Sequence, residues 1–280
     1  MVLPIIAHAA PTPVALGEGK VQVLGGNVEH DDRIAWVPAG AAGLAPLNAY
    51  VLVEGRSGLM IDTSLPIVGD AVVEQLRSLD LDELEILLTR PVEFDSMGNA
   101  ELVIEQFNVT RVYTEANFEP MAWTHFRRDA PTPEQTFEDV IIEKEQELDF
   151  GSRHLTLVNA KLKLLACAWV FDHETGTLFT SDSFIHALAP DAYTRVITAA
   201  NDTLTQDDVN EHLRTKFAWL VGANTEPLIK FVDDVFERFD VVNVAPNLGC
   251  VLAGRDVVQR HREMVDEGLR QLAEEEEELA

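Results

Sequence analysis

Apolar residues recur along this chain at two spacings, and one stretch carries both. Ile86-Leu87-Leu88 is short, apolar and continuous, as a strand covered on both faces should be. Ala100, Val103, Ile104 and Phe107 then fall at i, i+3, i+4 and i+7, one face of a helix predicted to start just after Gly98. Between the two runs sit Arg90, Glu93, Asp95 and Ser96. Polar groups at the carboxyl end of a buried strand are where α/β folds place their chemistry.

The rest of the chain extends this pattern. KVQVL (20–24) and IAWV (34–37) read as short strands separated by a Gly25-Gly26 turn and a polar loop. AYVLVEG and SGLMIDTS form a hairpin around residues 55–58, with Asp62 closing its second strand. Val72, Val73, Leu76 and Leu79 mark an amphipathic helix after Gly69. Residues 111–114 are a strand, followed by a helix with Phe118, Met121, Ala122 and His125 on one side and the linker APTPEQT. Alternation then predicts strands over residues 140–160, and a hairpin turns around His173–Gly176. From Pro190 to Trp219 the chain reads as helical and polar. Leu228, Phe231, Val232, Val235 and Phe236 form a strong helical face, and 241–244 is a buried strand leading into APNLG. The last helix, from Asp256, runs into five consecutive glutamates. Two β-rich layers, each followed by helices, imply a four-layer αββα sandwich in one domain over residues 1–280. Residues 1–19 read as an N-terminal extension and 273–280 as a solvated acidic tail.

Composition narrows the function classes. Hydrophobic content of 46% and charged content of 25% are ordinary for a globular chain of 280 residues. No apolar run reaches the ~20 residues that span a bilayer. The opening MVLPIIAHAAPTPVA lacks a basic segment, so a leader is not expected and the cytoplasm is the expected compartment. Two cysteines, Cys167 and Cys250, give no disulfide scaffold. The net charge of -27 repels phosphate backbones, so nucleic acid is excluded as a partner, and the sequence offers nothing for a membrane. Many acids and few lysines also suit a high-salt cytoplasm, which makes a halophilic source an expectation.

Against this background a resemblance emerges. NAYVLVEGRSGLMIDT resembles the opening hairpin of the metallo-β-lactamase superfamily, and Asp62 matches the aspartate that ends that strand. EILLTRPVEFDSMGNAELV resembles the superfamily's metal loop, most of all in the flavodiiron and oxygen-binding diiron branch, where the motif is H-x-E-x-D-H. Glu93 and Asp95 match its E and D, and Gly98 its following glycine. LFTSDSFIH is similar to the branch's L-F-S-N-D-A-F, which sets Asp182 at the metal-bridging aspartate; VVNVAPNLG is similar to its A-P-S-H-G segment. The resemblance covers roughly residues 20–265 and implies the metallo-β-lactamase fold. It also implies a homodimer and, for any redox or regulatory role, a separate protein partner.

The departures shape the functional expectation. Four histidines complete the two-metal site of that branch. Here they fall on Pro91 (Arg90 with one residue inserted), on Ser96, at or near Lys163, and on Leu248. Imidazole is what holds iron or zinc at neutral pH, while carboxylates alone suit harder cations. Glu93, Asp95 and Asp182 are therefore read as vestigial metal residues. Arg90 and Lys163 are expected to replace the metal charge, and Ser96, His186, Asn247 and Leu248 to line the former site. No cofactor is expected, with iron, zinc or manganese as the alternative. His154, His173, His212 and His261 show no ligand spacing in the sequence. The expected function is a non-redox binding or regulatory role with a degenerate metal site. The alternative is a metal-dependent oxidoreductase for oxygen or nitric oxide, or a hydrolase, using the reduced carboxylate set.

Overall fold

A computed structural model describes residues 5–30, 34–115, 137–143 and 145–275. The predicted helix over 118–125 and the APTPEQT linker lie outside the described residues. The first sheet holds β1 (Ala7–His8), β2 (Val14–Leu16), β3 (Val21–Val28), β4 (Ala45–Glu54), β5 (Ser57–Ile61), β6 (Glu83–Leu87), β7 (Val109–Glu115) and β8 (Glu138–Ile142). Its order is β1-β3-β4-β5-β6-β7-β8, with β2 also on β3. The strands from β5 to β8 run parallel. The second sheet holds β9 (Gln146–Phe150), β10 (Arg153–Asn159), β11 (Ala168–Asp172), β12 (Thr177–Ser181), β13 (Val196–Ile197), β14 (Asn243–Pro246) and β15 (Val251–Ala253), ordered β13-β15-β14-β12-β11-β10-β9.

Three apolar clusters show how these sheets are layered. Val23, Tyr50, Leu52, Ile61, Leu157, Val170 and Phe179 fill the space between the two sheets. On the far side of the first sheet, α1 (Gly69–Ser78) and α3 (Ala100–Gln106) lay Val72, Leu76, Val103 and Ile104 onto Val51, Met60 and Ile86. On the far side of the second, α4 (Gln206–Lys216), α5 (Glu226–Arg238) and α6 (Arg255–Glu274) place Leu213, Val232, Val235 and Leu269 over Trp169, Phe171 and Leu178. Trp169 is fully buried, with the rings of Phe184 and Phe231 at 6.0 and 5.1 Å. The α, β, β, α layering is the one the alternating patterns imply. No helix of the described residues is long and apolar enough to cross a membrane.

Some local expectations are corrected. Gly25 and Gly26 do not make a turn; both lie inside β3. Gly25 has φ 111°, and a Cβ there would stand 2.1 Å from the carbonyl oxygen of Leu47, so the glycine serves close strand approach rather than reversal. Residues 34–37 form a turn, with Val37 N–H donating to the Ile34 carbonyl. The stretch read as an N-terminal extension contains β1 and β2, both paired with β3. The loop RPVEFDSMG includes one helical turn, α2 (Phe94–Met97).

Candidate functional site

The turns after β5, β6, β12 and β14 converge at one end of the sandwich, at the carboxyl ends of those strands. Four residues there, Asp62, Ser64, Ser181 and Phe184, hold positive φ although none is glycine. Such backbone concentrates where a site is held in a fixed shape.

Asp62, fully buried, anchors the loops behind the pocket. Thr89 donates to it through N–H at 2.8 Å and Oγ1 at 2.6 Å, Asn247 Nδ2 at 2.8 Å, and Ser96 Oγ also donates. Burial still raises its pKa, against the opposing donors. Asn247 also reaches Asp95 Oδ2 at 3.3 Å, and the Arg90 N–H donates to Ser96 Oγ at 3.2 Å. Ser96 and Asn247 therefore hold the floor of the site rather than line its opening.

In front of that floor lies a buried charge cluster. The Arg90 guanidinium donates to Asp95 Oδ1 at 2.6 Å through Nη2 and pairs with Asp182 Oδ2 through Nη1. Lys216 Nζ reaches the same Asp182 oxygen at 3.1 Å. Desolvation works against the Arg90 charge, but Asp95 and Asp182 outweigh it and raise its pKa. For Lys216 burial wins, and its pKa is lowered despite Asp182. Asp182 keeps Oδ1 buried and without a hydrogen-bond partner among the described residues. Next to the cluster, Cys167 has its thiol pushed up to about 12 by burial first and Asp182 second, which makes it inert as a nucleophile.

A cavity of about 520 Å³ opens over this cluster, lined by Arg90, Glu93, Asp95, Asp182, Lys216 and Leu248 at its base. Trp36, Leu65, Phe94, Leu164 and Leu165 give it an apolar wall.

Not every expected residue belongs here. Lys163 does not pair with Asp182: its Nζ donates to Asn159 Oδ1 at 2.9 Å, and Lys216 supplies the second cation. The lysine comes from the end of α4, a helix that sequence spacing does not connect to the stretch around Arg90. His186 is not among the residues lining this cavity. Its Nε2 is 2.8 Å from His261 Nδ1, whose Nε2 lies 3.2 Å from Asp202, and it borders another cavity, of about 400 Å³, with His212. Burial lowers the pKa of all three histidines, that of His212 to about 3. Cys250 is buried, and burial pushes its thiol up to about 12.

Neither a protein-family model nor a curated protein sequence matches the chain. Solved structures do. The rubredoxin oxygen:oxidoreductase of Desulfovibrio gigas aligns with a TM-score of 0.65 at 14% identity, over 90% of this chain and 60% of its own. The flavodiiron protein of Giardia intestinalis aligns at 0.63 and 11% identity, over 91% and 57%. A 1–254 fragment of a putative diflavin flavoprotein from Nostoc aligns at 0.61 and 14% identity, over 97% and 99%. This chain thus spans about 60% of the first of these proteins.

The expectation of no cofactor is corrected by two of these neighbours, whose names carry cofactors: the Nostoc fragment is a putative diflavin flavoprotein and the Giardia protein a flavodiiron protein. The residues of the present pocket nonetheless do not fit an iron pair. No imidazole lines it among the described residues, and Arg90 already bonds the two aspartates that would have to turn to a metal. The ligand atoms of Glu93, Asp95 and Asp182 also do not gather within 4.8 Å of one another. What the neighbours establish is architecture: the chain has the metallo-β-lactamase-type fold of the flavodiiron proteins.

Proposed function

We propose that this pocket serves binding rather than redox chemistry, and that the protein acts as a ligand-binding or regulatory member of the fold. The observation that carries the reading is Arg90, whose guanidinium bonds Asp95 and Asp182 at once, with Lys216 completing two cations for two carboxylates. The cavity above them supports an organic ligand with an apolar body against Leu164, Leu165 and Trp36. Such a ligand would offer an N–H or O–H to Asp182 Oδ1, a buried acceptor with no partner among the described residues. The partner expected on the resemblance is a second copy of this chain. Leu164 and Leu165, each 43% exposed at the cavity mouth, support that contact.

The test is reductive oxygen chemistry. Protein incubated with ferrous iron and supplied with a chemical reductant should consume oxygen no faster than the Arg90→Ala variant or iron in buffer. It should also show no electron paramagnetic resonance signal of a mixed-valence iron pair. Fast uptake together with such a signal would overturn the reading.

A further inference from the structure

We propose that Glu147, His154 and His173 form a site for one divalent cation of the zinc or copper type on the outer face of the second sheet. None of the three lines the cavity over Arg90. They are distant in sequence and meet through strand register. Glu147 on β9 stands opposite Thr156 on β10, and Asp149 opposite His154. Across the other edge Thr156 stands opposite Phe171 on β11, and the His173 N–H donates to the His154 carbonyl at 3.2 Å. Period-two alternation puts all of these side chains on one face.

The ligand atoms of Glu147, His154 and His173 lie within 4.8 Å of one another. His154 Nε2 is 3.0 Å from Glu147 Oε2. Two ligands on a tetrahedral zinc, each bonded at about 2.1 Å, stand roughly 3.4 Å apart, so a cation enters between these atoms with only a small opening. The surroundings already hold the ligands in place. His154 Nδ1 lies 2.8 Å from Asp149 Oδ1, the carboxylate contact that fixes the ring and tautomer of a metal-bound histidine. Thr156 Oγ1 donates to Glu147 Oε2 at 2.6 Å and lies 2.8 Å from His173 Nε2. The His173 ring packs edge-on against Phe171 and Phe239, with centroids at 4.8 and 5.8 Å. Arg238 approaches the other Glu147 oxygen, Oε1, at 3.7 Å.

The donor set decides the class of metal. Two imidazoles and one carboxylate favour zinc, copper or nickel over magnesium or calcium, which take oxygen. Three protein ligands leave a position open to water. The competing arrangement is a protonated His154 paired with Glu147 and Asp149, an ordinary surface ion pair.

The experiment separates the two. The full chain, stripped with chelator and dialysed, is titrated with cobalt(II) as a coloured stand-in for zinc, and separately with copper(II). One equivalent should bind, with the strong visible absorption of low-coordinate cobalt, bleached by zinc. The copper spectrum should carry hyperfine structure from two nitrogens. His173→Ala and Glu147→Gln should each abolish the band. Asp149→Asn, which keeps the ligands but loosens His154, should weaken binding about tenfold or more. All these side chains are at the surface, so melting of the metal-free variants should match the parent. Leu165→Glu, at the other cavity, should leave the titration unchanged. Absence of saturable binding, or binding as tight as the parent's in His154→Ala or His173→Ala, would overturn the site and leave the ion pair.

Discussion

At the scale of single residues the structure turns on which cation meets Asp182. Lys216 does so while buried, and Lys163 bonds Asn159 instead. Removing one partner of a buried ion cluster leaves an uncompensated charge and costs about 3–5 kcal/mol, whereas removing a peripheral amine costs within about 0.5 kcal/mol. Lys216→Met should therefore destabilise the protein by about 3 kcal/mol in urea unfolding and Lys163→Met should be nearly silent. The opposite ranking would contradict the assignment. The same residues show how far the sequence reaches. Glu93, Asp95 and Asp182, which line one cavity, are legible as candidates because each sits in a short stretch that resembles a known loop, and Arg90 because it neighbours one. Lys216 could not be found that way, since it arrives from a separate helix through packing on the outside of the second sheet.

At the scale of elements, strands and helices with a clean period were legible, and contacts between them were not. β4 with β5, α1, α5 and α6 lie where alternation or helical spacing puts them. Gly25 and Gly26 misled because glycine at a close strand approach looks like glycine at a turn. The meeting of Glu147, His154 and His173 is a product of register across β9, β10 and β11, which no local spacing encodes. The packing of α5 on α6 supplies a pH test of the same kind. Asp266 is buried on α6, with Asp233 of α5 facing it and Arg262 Nε 3.8 Å away. Burial first, then Asp233, push its pKa up to about 6 from an ordinary 3.8, with Arg262 and Arg270 opposing. A raised carboxylate binds its proton more tightly folded than unfolded, so its contribution to stability falls as pH climbs from about 4 to about 6. Asp266→Asn removes that loss. It should raise the melting temperature by a few degrees at pH 7.5 and leave it unchanged at pH 4; a gain independent of pH would contradict the sign.

At the scale of the whole molecule, layering was readable and charge sets the remaining expectation. Two β-rich segments each followed by helices correspond to two facing sheets with helices outside, and the fold of the flavodiiron proteins bears this out. A net charge of -27 places strong self-repulsion on a compact surface. Salt at about 1 M shortens the screening length to about 3 Å and should relieve it. The melting temperature should accordingly rise from dilute buffer to molar potassium chloride; equal melting in both would count against an adaptation to high salt.

All three scales meet at Arg90, whose side chain takes up the aspartate oxygens that a metal pair would need. Crystals soaked in ferrous iron and measured at the iron absorption edge test this most directly. The expected map shows no anomalous peak between Asp95 and Asp182, with the guanidinium in place; one or two peaks bridged by Asp182, with Arg90 swung away, would contradict the account.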